Sequence, residues 1–474
     1  MIARATPSRH RRIRPALAIV LATALAIAIP HTSAHGQPSG RALPLIRDAE
    51  IEQLLREYTT PILRAAGLAK QNIRIVIIND RAFNAFVADG RRIFVNIGAL
   101  LESQTPNQII GVLAHEAGHI AGGHLSRMRQ EMANAQTAAI IAMLAGVGAI
   151  VAGAAAGGGS AMSQVGAAAI MGPQSMLQRT LLSYQRAQED QADRAAVKFL
   201  NATGQSSKGM YETFKRFAEQ TMFASRYIDP YLQSHPLPME RVRALEGLAR
   251  SSPYWDKKDG ADLQLRHDMM RAKISGFLEQ PGTVANRYPQ RDGSLPARYA
   301  RAISAYKNSD LRNALGQIDA LLQQHPENPY FHELRGQALL ESGRPAEAVA
   351  PLRQAASLAP HGDPIRVLLA QALIATNDVR LADEAVRLLR GVLMRDDDMV
   401  DAYRHLAMAY GRKGDLPQAD LASAQAAFAG GDFRTARQLA GRAKTRFPTG
   451  SPGWVKADDI ASYKPPSAAR PNRP

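Results

Sequence analysis

Two histidines flank a glutamate and two small residues in the run His115-Glu116-Ala117-Gly118-His119. Residues four apart on a helix share one face, so both imidazoles can offer a nitrogen to a single cation. Glu116 then stands beside an open coordination position. From there it can take a proton from a water and later return it to a leaving amine. Zinc suits this donor type and makes hydroxide available near neutral pH for attack on a peptide carbonyl. The apolar run Ile109 to Ala114 supplies a helix for the motif, and Ala117 and Gly118 leave room for close packing beside it. The chain has no cysteine. Thiolate chemistry, disulfides and Cys-ligated metal are therefore excluded, and a metal site must use His and carboxylate.

A third protein ligand is needed. A longer metzincin-type motif would want Gly122, which is present, and a His at 125, which is Leu125; His124 is one residue off and reads as a polar helix-end or loop residue. Glu189, in the run Tyr184 to Asp193, is the better candidate, with Asp193 four residues on and on the same helix face. Glu189 can ligate a metal, and Asp193 can hydrogen-bond the far nitrogen of a ligating His and fix its tautomer. By itself the pair is also the pattern of a solvated helix face.

Periodicity shows which elements must position these residues. Apolar residues at helical spacing predict a helix over 46–66, and the β-branched run Ile73 to Ile78 predicts a strand. Phe83 to Val87 and Ile93 to Ile97 alternate around Asp89-Gly90, a hairpin signal. The second of these strands is expected as an exposed edge that could accept a substrate strand. Pro106 begins the helix that carries the histidines. From Thr137 to Gly159 there is no charge, and uncharged Gly-rich sequence runs on to Gly172. This 137–172 segment is expected as a mobile lid or membrane-touching element; a bilayer span and simple core burial are the alternatives.

Composition is that of a folded chain: 474 residues, 46% hydrophobic and 21% charged. Five arginines between Arg4 and Arg14, the uncharged stretch Pro15 to Ile29 and the small residues Ser33, Ala34 and Gly36 read as a secretory signal over 1–36. The net charge of +16 fits a solvated basic surface or an anionic membrane surface; an exported chain has little occasion to meet nucleic acid, and none is expected as a partner.

The C-terminal half is repetitive. Ala302, Gly336 and Ala370 lie 34 apart, as do Ala314 and Ala348, and Pro326 and Pro360. That is the period of a helix-turn-helix repeat. After Asp378 the register slips by about three residues, then resumes with Tyr403, Leu406, Tyr410 and Ala419, and a further unit ends at Pro448. Four to five tetratricopeptide repeats are expected over 295–450, joined to a domain at 43–250 by a helical connector over 251–294 with one amphipathic helix, Leu263 to Leu278. A flexible basic tail is expected over 451–474.

His-Glu-x-x-His followed by Glu-x-x-Ala-Asp resembles the M48 family of zinc peptidases. The segment Ser234-His235-Pro236-Leu237-Pro238-Met239-Glu240-Arg241 also matches that family's His-Pro-x-x-x-x-Arg pattern. The resemblance implies an α+β zincin-like metallopeptidase domain followed by an all-α tetratricopeptide-repeat solenoid. One zinc ion per chain would be held by His115, His119 and Glu189, with Glu116 and Asp193 as catalytic residues. His235 is then either a fourth ligand that keeps the enzyme latent or a structural loop histidine. The order of parts is similar to that of the family's periplasmic, repeat-bearing members in Gram-negative bacteria. It implies proteolysis of misassembled outer-membrane barrel proteins, chaperone-like help to those still folding, docking to the barrel-assembly machinery through the repeats, and peripheral membrane contact. The alternatives are a repeat-based scaffold with latent proteolysis and an integral membrane protease of the same family.

Overall fold

The structure is a computed structural model that describes residues 44–133, 185–223, 235, 236, 238–308 and 310–464. The expected signal at 1–36, the 137–172 segment and residues 465–474 lie outside the described residues. The expectation of a flexible tail from 451 is corrected: Ser451 caps a helix over Pro452–Ser462, held because Ala457 is buried with Leu421 and Ala443 of the last repeats.

Strand β1 (Leu45–Ile46) leads into helix α1 (Ala49–Ala65). The Asp48 side chain accepts the Ile51 N–H at 2.9 Å, and the Glu52 side chain accepts the Asp48 N–H at 3.1 Å, so the two acids cap the helix start reciprocally. Ile51, Leu54, Leu55, Tyr58 and Ile62 form its buried face. Strands β2 (Arg74–Ile78), β3 (Ala85–Val87) and β4 (Arg92–Asn96) follow. The hairpin between β3 and β4 turns at Gly90, whose φ of +76° favours glycine. Asp89 Oδ1 accepts the Arg91 and Arg92 N–H groups at 3.0 Å.

The sheet order is β1-β2-β4-β3. β4 pairs parallel with β2 and antiparallel with β3. The expectation of an exposed edge at 93–97 is therefore corrected: β4 is an interior strand, and Ile97 already belongs to helix α2 (Ile97–Glu102). The apolar run of β4 is that of a strand covered on both faces, with Ile93, Phe94, Val95 and Asn96 all buried. Among the described residues β3 is the edge next to it.

Helix α3 (Pro106–Ala121) runs through the core, with Ile109, Ile110, Val112, Leu113, Ala114 and Ala117 buried. Helix α4 covers 124–133 and α5 covers 185–202. Then come α6 (Lys208–Phe223), α7 (Met239–Arg250), α8 (Ala261–Leu278) and α9 (Pro281–Arg287). A side chain at Gly118 would put its Cβ 2.9 Å from the Ala192 carbonyl oxygen, so glycine is what lets α5 cross α3 beside the histidines.

Helix α8, expected as an amphipathic connector, is buried on two sides. Met270 and Ile274 join the core built on α1 and α3, while Met269 and Ala272 join Tyr299, Ile303 and Phe331 of the repeats. The repeats are five helix pairs among the described residues: α10 (Leu295–Asn308) with α11 (Leu311–Gln324), α12 (Pro329–Glu341) with α13 (Pro345–Leu358), α14 (Asp363–Ala375) with α15 (Val379–Leu393), α16 (Val400–Arg412) with α17 (Leu416–Ala429), and α18 (Phe433–Lys444) with α19 (Pro452–Ser462). Ala314, Ala348, Ala355 and Ala370 are fully or almost fully buried where neighbouring helices cross, the reason small residues recur there.

The slip in repeat register is the connection between α15 and α16, which carries Asp396, Asp397 and Asp398. Asp396 reaches back to the sheet: Oδ2 meets Arg47 Nη1 at 2.8 Å and Oδ1 meets Arg74 Nη1 at 3.0 Å, with Asp398 Oδ2 3.2 Å from the same Arg74 nitrogen.

Candidate metal centre

The i, i+4 spacing on α3 brings both imidazoles to one side of the helix. His115 Nε2 and His119 Nε2 are 3.0 Å apart. Helix α5 brings Glu189 against them, with Oε2 3.3 Å from His115 Nε2 and Oε1 3.4 Å from His119 Nε2. The segment before α7 adds His235. Its Nδ1 is 3.3 Å from His115 Nε2 and 3.1 Å from both Glu189 oxygens. One ligand atom from each of His115, His119, Glu189 and His235 lies within 4.8 Å of all the others.

The second acid of α5 behaves as its spacing suggests. Asp193 Oδ1 stands 2.9 Å from His115 Nδ1, the nitrogen facing away from the cluster. A hydrogen pinned there leaves Nε2 with its lone pair directed inward.

In the sequence, Arg241 closes the His-Pro-x-x-x-x-Arg pattern, and nothing local assigns it a role. The structure gives it a central one. It is buried on α7, where Nη1 reaches Glu189 Oε2 at 2.8 Å and donates to the Pro236 carbonyl oxygen at 2.9 Å. Nε and Nη2 donate to Asp193 Oδ2 and Oδ1 at 2.7 and 2.8 Å. One guanidinium thus ties both acids of α5 to the segment carrying His235. A buried arginine needs acid partners, and that was the available signal; which acids it would meet was not written locally. His124 is buried at the start of α4. Its Nδ1 lies 3.0 Å from His119 Nδ1, outside the cluster.

Glu116 is completely buried, and neither carboxylate oxygen has a hydrogen-bond partner among the described residues. His235 Nε2 stands 3.4 Å from its Oε1. Burial pushes the Glu116 carboxyl up from its usual range. Burial opposes charge on His115 too, but hydrogen bonds to Asp193 and Glu189 outweigh it and lift the ring to about 9. Glu189 resists the same burial: the charge of His235, the hydrogen bond from His115 and the charge of Arg241 hold it well below the carboxylate range. Burial and the neighbouring His115 push His119 well down.

These observations fit a metal ion. Inward-facing imidazole nitrogens and an ionised carboxylate converge in a largely buried site, and among the described residues the acids there outnumber the one guanidinium. The pull on His115 to take up a proton is the mark of a place that wants positive charge. His, His and carboxylate donors with a free carboxylate alongside suit metal-assisted hydrolysis.

Residues 46–249 match the model of peptidase family M48, and residues 299–363 and 339–397 match tetratricopeptide repeat models. Among curated proteins the chain is 25% identical over 292 residues to a putative beta-barrel assembly-enhancing protease of Vibrio cholerae, covering 61% of this chain and 58% of that one. It is 23% identical over 322 residues to the beta-barrel assembly-enhancing protease of Escherichia coli K12, covering 66% and 63%. The like-named protein of Yersinia pestis is 24% identical over 420 residues, covering 86% and 82%. The matched segment thus spans less than two thirds of the Vibrio and Escherichia proteins.

Proposed function

Because the chain carries a peptidase family M48 domain over residues 46–249 ahead of tetratricopeptide repeats, we propose that it is a zinc-dependent endopeptidase. The observation that carries this reading is the meeting of His115, His119 and Glu189 beside the buried carboxylate of Glu116, which has no hydrogen-bond partner among the described residues. His115, His119 and Glu189 would hold the zinc. When bound, zinc supplies Lewis acidity to the scissile carbonyl and to the attacking water.

The chain's own residues do the rest. Glu116 takes the proton from water as its oxygen adds to the carbonyl carbon. It returns that proton to the amine nitrogen as the C–N bond breaks. Its raised proton affinity suits both steps. Asp193 fixes the orientation of His115, and Arg241 keeps Glu189 and Asp193 ionised. His235 turns a nitrogen toward the same point, so it competes with the substrate for room and holds the resting enzyme latent until the segment carrying it swings away.

The names of the relatives, which speak of beta-barrel assembly, support barrel proteins as substrates; the expected signal at 1–36 and the resemblance to the family's periplasmic, repeat-bearing members support the outer membrane and the periplasm. The repeats dock partner proteins, with the barrel-assembly machinery foremost. The position of His235 favours a second standing activity: while proteolysis rests, the repeats still bind, and the protein acts as a chaperone. No helix among the described residues is long and apolar enough to cross a membrane; the stretch on which an integral membrane reading depends lies outside them.

The test is metal content and casein cleavage by the purified chain beside Glu116→Gln and His235→Ala. We expect about one zinc per chain in the first two, a loss of roughly 10²–10⁴-fold in rate for Glu116→Gln, and faster cleavage by His235→Ala. A chain that neither binds zinc nor cuts, with any of these sequences, would leave only the repeat scaffold.

A further inference from the structure

The two glycines after α3, and the histidine they deliver, play no part in the mechanism above. Gly123 has φ of +64°, a conformation L side chains rarely adopt. The turn it makes folds His124 back against His119, with the rings nearly perpendicular and their centroids 5.0 Å apart. A Cβ on Gly122 would stand 2.2 Å from His124 Nε2 and 2.6 Å from its Cδ2, so the ring sits there only because Gly122 has no side chain. His124 is 3% exposed.

The hydrogen bonds around this ring leave little freedom. His124 Nε2 faces Gln191 Oε1, on α5, at 3.3 Å, and Gln188 Nε2 donates to the His124 carbonyl oxygen at 3.2 Å. An amide oxygen only accepts, and a neutral imidazole has one donor and one acceptor. With the Gln191 amide oxygen turned toward the ring, as placed, the hydrogen of His124 sits on Nε2, directed at Gln191. Its Nδ1 is left an acceptor, 3.0 Å from His119 Nδ1. His119 must then carry its own hydrogen on Nδ1, so its Nε2, 3.0 Å from His115 Nε2, turns a lone pair into the cluster. The opposite arrangement would set a bare nitrogen against a bare amide oxygen.

We propose that His124, oriented by Gln191, is a positioning residue: it fixes the tautomer and ring orientation of His119 and so sets the affinity of the centre for zinc. The inference rests on the reading of that centre as a zinc site. The two helix histidines are then held differently, His115 by the carboxylate of Asp193 and His119 by a neutral ring.

The experiment measures the zinc dissociation constant of the full chain by competition with a chelator. The variants are His124→Phe, which keeps the ring and loses the acceptor, and His124→Asn, whose amide oxygen can accept the same hydrogen. Outer partners of ligating histidines are typically worth roughly 10–100-fold in metal affinity. His124→Phe should lose that much, His124→Asn should stay within about threefold of wild type, and the metal-free chains should unfold at similar temperatures. Unweakened binding by His124→Phe overturns the inference, as does an Asn variant as weak as the Phe variant, since ring packing alone would then be at stake. Should His124→Phe fail to fold, Gln191→Leu decides, because Gln191 is exposed; it should weaken zinc several-fold, and no loss overturns the proposal. If the wild-type chain binds no zinc, the reading of the centre fails with it; if wild type binds and His124→Phe matches it, only this inference fails.

Discussion

At the residue scale, Arg241 carries more of the centre than its place outside the proposed zinc ligands suggests. Glu189 and Asp193 are nearly completely buried and ionised, and beside the rings of His115 and His235 this guanidinium is a charge that bridges both. Removing one partner of a buried ion pair leaves the other uncompensated, at a cost on the order of 3–5 kcal/mol. Arg241→Met should therefore lower the unfolding temperature of the chelator-treated chain sharply, and added zinc should restore part of the loss by supplying positive charge. Arg241→Lys should rescue little, because an ammonium cannot span two carboxylates and a carbonyl as the planar fork does. An unchanged melt for Arg241→Met would remove Arg241 from this role.

At the scale of elements, the sheet order decides where a substrate strand could lie. β4 has neighbours on both sides, so the edges left among the described residues are β1 and β3, and β3 is the one that packs along the helix of the histidines. The Asn96 N–H donates to the Asn84 carbonyl oxygen at 2.9 Å. With the pairs Ala85–Val95, Phe86–Phe94 and Val87–Ile93, antiparallel alternation then turns the N–H of Val87 away from β4. Val87→Pro removes that outward donor and leaves the ladder intact. One lost hydrogen bond is worth about 1 kcal/mol, so kcat/KM on an extended peptide should fall roughly fivefold with unchanged thermal stability. Equal kinetics from a stable variant would exclude strand addition at this edge. Proline at Phe94, by contrast, would break the interior of the sheet and report only on folding.

At the scale of the molecule, the domain and the repeats are joined around one lysine. Lys273 of α8 is buried with Asp48 Oδ2 at 2.8 Å, Glu333 Oε2 at 3.2 Å and Glu50 Oε2 at 3.3 Å, and the Tyr299 hydroxyl donates to Glu50 at 3.0 Å. Three acids around one cation leave an excess of negative charge. Burial raises the Glu333 carboxyl to about 7 against the pull of Lys273, and burial raises Glu50 as well. A carboxyl whose folded pKa lies above its unfolded value favours the folded state by holding its proton. That contribution is full below the unfolded value near 4.5 and is lost as pH rises through about 7. Denaturant unfolding should show stability falling between pH 5 and 8 by an amount on the order of 3 kcal/mol from this group, and Glu333→Gln should flatten the slope. A slope unchanged in Glu333→Gln would assign it elsewhere. The partly exposed pairs of Arg47 and Arg74 with Asp396 contribute less, about 0–1 kcal/mol each, and should weaken with salt.

The residues proposed to carry the chemistry, which the structure brings into one cluster, were legible in the chain because their relations are local. His115, Glu116 and His119, and likewise Glu189 and Asp193, sit at helical spacing, and the repeats announce themselves by a period that each helix pair reproduces. Strands, hairpin and the helix through the motif follow from the same short-range patterns, and the structure draws them nearly where periodicity puts them. What tertiary structure alone decided is which distant groups meet. It put β4 inside the sheet, buried α8 on two sides, set Arg241 across both acids of α5, turned His124 onto the back of His119, and made the three-residue slip in the repeats a contact with Arg47 and Arg74. Helical and strand geometry repeats within a few residues and is written in spacing. The partner of a buried charge or ring nitrogen is chosen only when folding removes water, and with it the alternative that every exposed polar group retains.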